Sequence, residues 1–538
     1  MSPAMIPINA CHLPPLLVGV PLLAAFLLPL AAKISKALRT AVFLLAVSAT
    51  AAVALGIAWQ VFAAGGAPIS YLFGAAPAAP GADVSLAVPP DSGGMPIRIL
   101  FHIDAASALM LAVASLTSLA ASLVAICSEA PASGKRFFYP LFLLLVGGVY
   151  GMCATGDLFN FFVFLEITSL SGSALAAYRI DRGLAAEAGL KYAAVSSLAG
   201  LSFLMGVGIL LAQHNLLNIP ALAAHISAHG PTALDLIALV LLVAPLLLKC
   251  GAVPMHHWTP DTYSRAPHPV SAFLLVSSQA SLYGLFRVVF TLYGGAAPVR
   301  TIGMALIVVA LLSMFIGVTM ALLQHDVKRL IAHHAVSQTG YMILGAGVCA
   351  FLLADPSKVA AYGRDALAGS LFHMMNYAFY NGLLFVAAGA VIHRTGRRNL
   401  DAMGGLAAAM PWTATTFGIG ALAIAGIPPL SGFASKWVLY ESTFRLSPFL
   451  ALVAMVVSLL TLASFVKVFQ SMFLGPRKPA FAGVRDVPAP WIVAMVLLAL
   501  LTAAIGLFPG PVMDRVLLPA ADALLSPSSY AAIFTGVP

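Results

Sequence analysis

Apolar stretches long enough to cross a lipid bilayer follow one another along most of the chain. A helix needs about 20 predominantly apolar residues to traverse the hydrocarbon core. Hydrophobic residues make up 61% of the 538 residues and charged residues only 8%, whereas a soluble domain carries about 25% charged residues. The sequence therefore predicts an all-α polytopic membrane protein.

About fourteen transmembrane helices can be drawn, separated by breaks that carry proline, glycine or charge. The seventh segment covers 233–253 and the twelfth covers 411–432. Proline or glycine interrupts both, so helices 7 and 12 are expected to be discontinuous. The longest connection, 64–100, contains two short alternating runs that predict a small external hairpin. The stretch 509–538 is expected to be a short surface segment.

The basic residues indicate an orientation. With the N-terminus outside, the inward loops collect most of the arginines and lysines, which is how membrane proteins encode their topology. This places both termini outside and predicts a multi-pass protein of the cell inner membrane. The net charge of +9 is dispersed over short loops. We therefore expect these charges to lie at the surface of the lipid bilayer, and we expect no binding of nucleic acid.

Two lysines lie beside the interrupted helices. Lys249 ends the apolar run 236–248, and Lys436 follows the Pro428-Pro429 pair. A charge at membrane depth costs several kcal/mol and usually belongs to an ion or substrate path. Paired broken helices in two halves are typical of inverted-repeat transporters, with the ion site at the breaks. The plainer alternative is a lysine that reaches the interface from a helix end.

Glu166 is the acid in the interior of a predicted span, where an unpaired carboxylate would be costly. We expect it to pair with a lysine and tune its proton affinity, or else to bond a neighbouring helix structurally. Segment eleven carries a polar stripe at helical spacing, which usually faces a cavity or another helix. Its members are His373, Asn376, Tyr377 and Asn381.

Further polar positions carry less weight individually. His257 lies in the connection after segment seven, where a role in proton entry is expected. His333 and His334 lie about one turn inside segment ten. We expect them either to relay protons or to pack at the membrane interface. Gln279 in segment eight and Lys191 near the start of segment six complete the set.

No cofactor site is expected. The five cysteines form no CxxC pair and most lie in apolar runs, which is typical of buried hydrophobes. The histidine spacings match no strong metal template, and no nucleotide-binding pattern is present. Transport must therefore be driven by an ion gradient or by a partner.

Five stretches together resemble the antiporter-like subunits of respiratory complex I and membrane-bound hydrogenases, and the D-type subunit of multi-subunit cation/proton antiporters. They are GDLFNFFVFLE, LLLKCGAVPMHHWTPDTYSRAPHPVSA, HDVKRLIAHHAVSQTGYMILG, FHMMNYAFYNGLLFVAAGAVI and LAIAGIPPLSGFASKW, within about residues 100–475. The resemblance implies fourteen helices with two inverted repeats of five. The parts are then 1–130 (helices 1–3), 131–293 (first repeat), 294–475 (second repeat) and 476–538 (helix 14 and the C-terminal segment).

The resemblance also implies residue roles. Glu166, Lys249 and Lys436 match the family's glutamate and lysines of segments five, seven and twelve. Lys191 matches a sixth-segment lysine and His373 an eleventh-segment polar position. This chain departs from the pattern in two segments. Gln279 stands where many relatives carry Lys or His, and Tyr377 and Asn381 replace His and Lys. Amide side chains hold water but store no proton at neutral pH.

Three hypotheses follow. The favoured one is a proton-translocating subunit that works among other membrane subunits, including paralogous antiporter-like ones, in a redox-driven pump or a cation/proton antiporter. It holds no catalytic redox site of its own. The second is a scaffold that kept the fold and lost the relay. The third is an autonomous secondary transporter for a small solute. Whether Na⁺ moves is left open by the sequence.

Overall fold

The computed structural model describes residues 12–73, 99–128, 135–179, 183–294 and 298–526. Within these ranges, twelve helices are long and apolar enough to cross a membrane. The prediction of an all-α polytopic membrane protein is confirmed. The predicted count of fourteen crossings stays a prediction, because the helices in two of the predicted segments have only 17 and 15 residues.

The helices of the first half are α1 (Leu16–Ile34), α2 (Lys36–Ala63), α3 (Ala105–Cys127), α4 (Lys135–Ala154), α5 (Leu158–Ala176), α6 (Gly183–His214), α7 (Ile219–His229), α8 (Ala233–Lys249), α9 (Trp258–Arg265) and α10 (His268–Phe286). Those of the second half are α11 (Val299–Leu322), α12 (Val327–Leu352), α13 (Pro356–Lys358), α14 (Arg364–Thr395), α15 (Pro411–Ala425), α16 (Ser431–Leu446), α17 (Pro448–Phe473), α18 (Ala489–Leu507), α19 (Pro509–Val512) and α20 (Leu518–Leu525). Wider π-helical turns follow α10, α13 and α19, at Arg287–Leu292, Val359–Gly363 and Met513–Leu517.

The seventh and twelfth predicted segments are both discontinuous. The seventh segment contains α8, and the chain becomes helical again as α9 beyond the predicted end at 253. The twelfth contains α15, and α16 begins at Ser431. Gly251 follows the end of α8 with φ 78°, and Gly426 follows α15 with φ 80°. A residue in this left-handed conformation ends a helix, and glycine adopts it without strain.

The predicted end of the twelfth segment at 432 is wrong. The helix α15 ends before Gly426, and the chain resumes as a helix only at Ser431. The two prolines between them supply no N–H for a continuous helix. Residues 433–446, which fall in a predicted connection, are helical in α16. Lys436 therefore lies inside a helix and points back toward the break.

The centre of the molecule is α14, which is buried along Ala366–Val391. It packs against α10, α12, α15, α16 and α18. A helix that is buried on all sides presents its polar side chains to other helices and not to lipid. The polar stripe of segment eleven therefore lies in the interior.

The predicted hairpin is formed in the part that the structure describes, and its external position stays a prediction. Strand β1 (Ile69–Leu72) pairs antiparallel with β2 (Leu100–Ile103), with Ile69 opposite Ile103. Residues 74–98 lie outside the described ranges. At the C-terminus, α19 and α20 are short, as expected, but Leu517 and Leu524 are buried. The stretch up to residue 526 therefore packs partly into the protein.

Small residues let α11 and α12 approach closely. A Cβ at Gly317 of α11 would lie 2.5 Å from the backbone nitrogen of Ser337 in α12, and neither backbone can move aside cheaply. Close approach through small residues is how membrane helices gain packing energy where no water is expelled.

Gly317→Val is expected to destabilise the fold by about 1–3 kcal/mol, since overpacking forces the two backbones apart. Thermal unfolding of the purified chain in detergent measures the effect. Gly208→Val is the matched control, because Gly208 has nothing within 4 Å of its Cβ position. Equal unfolding temperatures for the two variants would contradict the packing argument.

Candidate functional site

Lys249 is buried at the end of α8, with 2% of its surface exposed. Its ammonium donates hydrogen bonds to Ser169 Oγ at 2.9 Å, Ser196 Oγ at 3.1 Å and Tyr192 OH at 3.2 Å. The nitrogen also lies 4.7 Å from the centroid of the Tyr192 ring. The positive charge is thus held by three neutral hydroxyls and an aromatic face.

Glu166 lies one turn before Ser169 on α5, on the same face. Its Oε1 is buried without a hydrogen-bond partner, although Lys249 is near enough to act on the carboxylate electrostatically. The expected direct pair of Glu166 and Lys249 is not formed, since Ser169 takes the place next to the ammonium. Among the described residues no carboxylate lies within 4.0 Å of Lys249 Nζ.

Gly200 of α6 makes room for this carboxylate. An added Cβ there would collide with Glu166 Oε1. The carboxylate end is flexible, so a larger residue would displace it without breaking the helix pair. The position of the negative charge relative to Lys249 therefore depends on the absence of a side chain at residue 200.

Lys436 is the second buried ammonium, with 1% exposed surface. It donates to Ile424 O at 2.8 Å and to Ser458 Oγ at 2.9 Å, and lies 4.9 Å from the centroid of the Tyr341 ring. The last carbonyls of a helix have no intrahelical partner. The break after α15 therefore supplies the carbonyl of Ile424 to the lysine.

A hydrogen-bonded cluster in α12, α14 and α16 lies next to Lys436. His373 Nδ1 lies 3.0 Å from Ser435 Oγ, and its Nε2 lies 3.1 Å from Gln338 Oε1 and 3.2 Å from Tyr380 OH. The Tyr341 ring lies 5.3 Å from the His373 ring and 4.9 Å from Lys436 Nζ, so this cluster on the central helix borders the lysine. His373 was predicted, whereas its three partners were not.

The interior around Gln279 and Asn381 is also polar, but it has fewer hydrogen bonds between protein groups than the cluster at His373. Gln279 of α10 donates from Nε2 to Met374 O at 2.5 Å, and its Oε1 is buried without a partner. Both amide atoms of Asn381 are also buried and unpartnered. Tyr263 OH bonds Ser278 Oγ, beside Gln279. Buried polar atoms without a protein partner are usually satisfied by water.

The remaining predicted residues divide into interior and surface positions. Tyr377 is buried, His333 is buried with neither ring nitrogen bonded, and His334 Nε2 lies 2.8 Å from Ser464 Oγ. By contrast, His257 is exposed. Lys191 lies two turns inside α6, whose predicted start at 191 was late. Its side chain is 48% exposed and its Nζ lies 2.7 Å from Glu187 and 3.0 Å from Asp261.

Sequence reasoning missed one buried lysine. The charge pattern assigns Lys328 to an inward loop, yet it is 1% exposed and donates to Ala266 O and Ser271 Oγ, both at 2.7 Å. Its position in the first turn of α12 gave no sign of burial, because α9 and α10 cover it from a distant part of the chain. Tyr380 was detectable, since it lies two turns after His373 on the same face.

Metal ligands do not cluster. Among the described ranges, no group of three or more His, Cys, Asp or Glu side chains is placed to hold a metal ion.

Comparison with known proteins gives a consistent assignment. A family described as "NADH:quinone oxidoreductase/Mrp antiporter, TM" matches residues 155–461, more than half of the chain. NADH-quinone oxidoreductase subunit N of Desulforudis audaxviator is 33% identical over 529 residues, covering 94% of this chain and 98% of that protein. The D-type subunit of a Na(+)/H(+) antiporter from Alkalihalophilus pseudofirmus is 32% identical over 438 residues, covering 81% of this chain and 85% of that protein.

A solved structure agrees with these relatives. A chain in the Mrp complex from Dietzia sp. superposes with a TM-score of 0.82 at 28% identity, covering 97% of this chain and 99% of that one. The resemblance that the sequence motifs indicated is confirmed. The chain is therefore a multi-pass membrane protein that belongs to the NADH:quinone oxidoreductase/Mrp antiporter transmembrane family, the antiporter-like subunits.

Proposed function

We propose that the chain translocates protons across the cell inner membrane as an antiporter-like subunit of a larger complex. The observation that carries this proposal is the pair of buried lysines held by neutral groups alone, in a family whose relatives are named as subunits of oxidoreductases and antiporters. A charge held at membrane depth by neutral groups usually belongs to an ion or substrate path.

The first step uses the carboxylate. When Glu166 approaches Lys249, the protonated lysine is favoured; when it withdraws, Lys249 releases its proton to the polar interior. Ser169 follows Glu166 by one turn on α5 and contacts the ammonium, so the carboxylate approaches Lys249 from the same face of the helix. Gly200 leaves the carboxylate the space for this movement.

The second step carries the proton through the centre. The unpartnered amide atoms of Gln279 and Asn381 support a row of water molecules between the two halves. The bonded cluster of His373, Gln338 and Ser435 continues to Lys436. Lys436 then exchanges its proton with one side of the membrane.

The arrangement in the membrane follows the sequence prediction. We place both termini outside, with inverted repeats at 131–293 and 294–475. The helix breaks after Lys249 and before Lys436, each beginning at a glycine with positive φ, support this division. The partners are other membrane subunits, including paralogous antiporter-like ones. The driving energy comes from a redox partner or, in a Na⁺/H⁺ antiporter, from the proton gradient.

Lys249→Ala should abolish coupled proton translocation while the complex still assembles, because it removes the charge but leaves the surrounding hydroxyls able to bond one another. Proton uptake into inverted vesicles, read with a pH-sensitive dye, measures the loss. The amount of assembled complex is checked on a native gel. Lys358→Ala is the control, since Lys358 pairs with Asp355 at the surface. Wild-type proton uptake by the Lys249→Ala complex would refute the assignment.

Gly200→Ala tests the carboxylate without changing any charge. The added methyl displaces Glu166, and a rise of ~1.4 kcal/mol in the barrier slows translocation about tenfold. Turnover is measured in the same vesicles, with Gly208→Ala on the same helix as the control. If both variants retain wild-type turnover, the position of Glu166 does not govern the rate.

One observation favours the alternative of a non-pumping scaffold. Gln279 and Asn381 offer no titratable group at the centre of the row. A scaffold requires that neutral replacements of Glu166, Lys249 and Lys436 leave ion transport by the complex unchanged. The vesicle measurement on Lys249→Ala therefore decides between the two functions.

A further inference from the structure

Three histidines form a row beside the short helix α7, at the end of the molecule that the proposed orientation places outside. His214 is the last residue of α6, and His225 and His229 lie one turn apart on α7. The ring centroids of His214 and His225 are 4.9 Å apart, and those of His225 and His229 are 4.3 Å apart. This histidine row takes no part in the proposed proton route.

The acid next to the row is already engaged. Among the described residues, Asp235 is the one carboxylate within 4.0 Å of the histidine row. Its Oδ1 accepts from His214 Nε2 at 2.7 Å, and its Oδ2 accepts from the backbone N–H and the hydroxyl of Thr232 at 2.8 and 3.0 Å. Asp235 therefore balances a charge on His214 but forms no bond to the two histidines of α7.

His225 lies in the middle of the row and is poorly placed to carry a proton. It is half-buried, and its Nδ1 is buried without a hydrogen-bond partner. A protonated imidazole has an N–H on both ring nitrogens, so protonation would leave a buried donor without an acceptor. It would also place a charge between two further imidazoles, and a second proton on the row would be repelled at these distances.

The sign of the pH effect follows from these surroundings. Burial lowers the pKa of His225, the neighbouring His229 and His214 lower it further, and Asp235 raises it. Because the fold favours the neutral ring, the stability that this histidine contributes is present above its ordinary pKa of about 6.5 and is lost as the pH falls below that value.

The helix α7 joins two elements of the proposed route. The backbone N–H of Ile219 donates to Gly156 O at 2.9 Å, immediately before α5. Leu222 and Ile226 are fully buried on the underside of α7, which packs against the turn Arg287–Leu292 that continues α10. The helix α5 carries the buried carboxylate and α10 the central amide, so α7 holds the ends of both.

The other charged or titratable groups on the elements around α7 are bonded elsewhere. Asp157 accepts from a backbone N–H in the first turn of α5, and Arg287 donates to Asp104. Tyr293 OH donates to the backbone oxygen of Asp235 at 2.9 Å. The response of α7 to pH therefore depends on the histidine row and the carboxylate beside it.

We propose that α7 is an acid-released strap, which stays docked at neutral pH and separates from the beginning of α5 and the turn after α10 when His225 takes up a proton. Acidification at this surface then loosens the ends of two helices that carry groups of the proposed route. The inference concerns the conformation of α7 and does not rest on proton translocation by the chain.

Hydrogen–deuterium exchange of residues 219–229 tests the proposal. The full chain, purified with its partner subunits in detergent, is labelled at about pH 7.5 and at about pH 5.5, on either side of the ordinary histidine pKa. Exchange rates are divided by the intrinsic amide rates at each pH. We expect the protection of α7 to fall several-fold at the lower pH, while α11 keeps its protection. In His225→Gln the protection of α7 should be the same at both values.

His325→Gln is the matched control, because His325 is an exposed histidine that pairs with Asp401 at the opposite end of the molecule. It should show the full wild-type loss. His229→Gln removes the exposed neighbour of His225 and should keep the protection at neutral pH while reducing the loss in acid.

Two results would overturn the strap. One is equal protection of wild-type α7 at both pH values, and the other is a wild-type loss that persists in His225→Gln. If that variant is unprotected at both values, His229→Gln decides, and an unchanged acid loss in it counts against the proposal. Neither result touches the proton-translocation proposal, because exchange of α7 does not measure proton movement.

Discussion

An ammonium group buried in a membrane protein without a carboxylate beside it is the constraint on which the rest of this molecule depends. A charged side chain at the centre of a bilayer-embedded helix costs about 2.5–3.5 kcal/mol even when the surroundings adjust. At Lys249 this cost is offset by three hydroxyls from two helices and by the face of Tyr192. Neutral hydroxyls therefore do here what a carboxylate does in an ordinary buried ion pair.

The two helix breaks also help to stabilise buried polar groups. A continuous helix satisfies its own backbone and has no carbonyl to offer a lysine. By ending α15 at Ala425, the chain frees the carbonyl of Ile424, which accepts from Lys436. At the first break, the carbonyl of Leu248 also lies at a helix end, that of α8. It accepts a hydrogen bond from the indole N–H of Trp258 in α9. Interrupted helices therefore stabilise buried polar groups that straight helices could not.

The sequence predicted the helices and their breaks, but it did not predict the groups that surround the buried lysines. These failures share a physical cause. Apolar length and interruption by proline and glycine predicted the helices and both breaks, because these depend on local chemistry. The partners of Lys249 were not predicted, since Ser169 and Ser196 are 80 and 53 residues from it and look like ordinary small membrane residues. Lys328 was misplaced for the same reason: it is held by Ala266 at the end of α9 and by Ser271 in the first turn of α10, which are about 60 residues away in sequence.

The amides at the centre then have a definite consequence for how such a chain can conduct protons. Between Lys249 and His373, the groups that line the interior, Gln279 and Asn381 among them, can orient water but cannot hold a proton at neutral pH. On the proposed mechanism, a proton that leaves Lys249 would therefore cross this region in one passage, without resting on a side chain. Its barrier would depend on water held by the unpartnered amide atoms. The proposal thus assigns the control of transport to the two ends of the route, where Glu166 and the helix breaks lie beside the lysines.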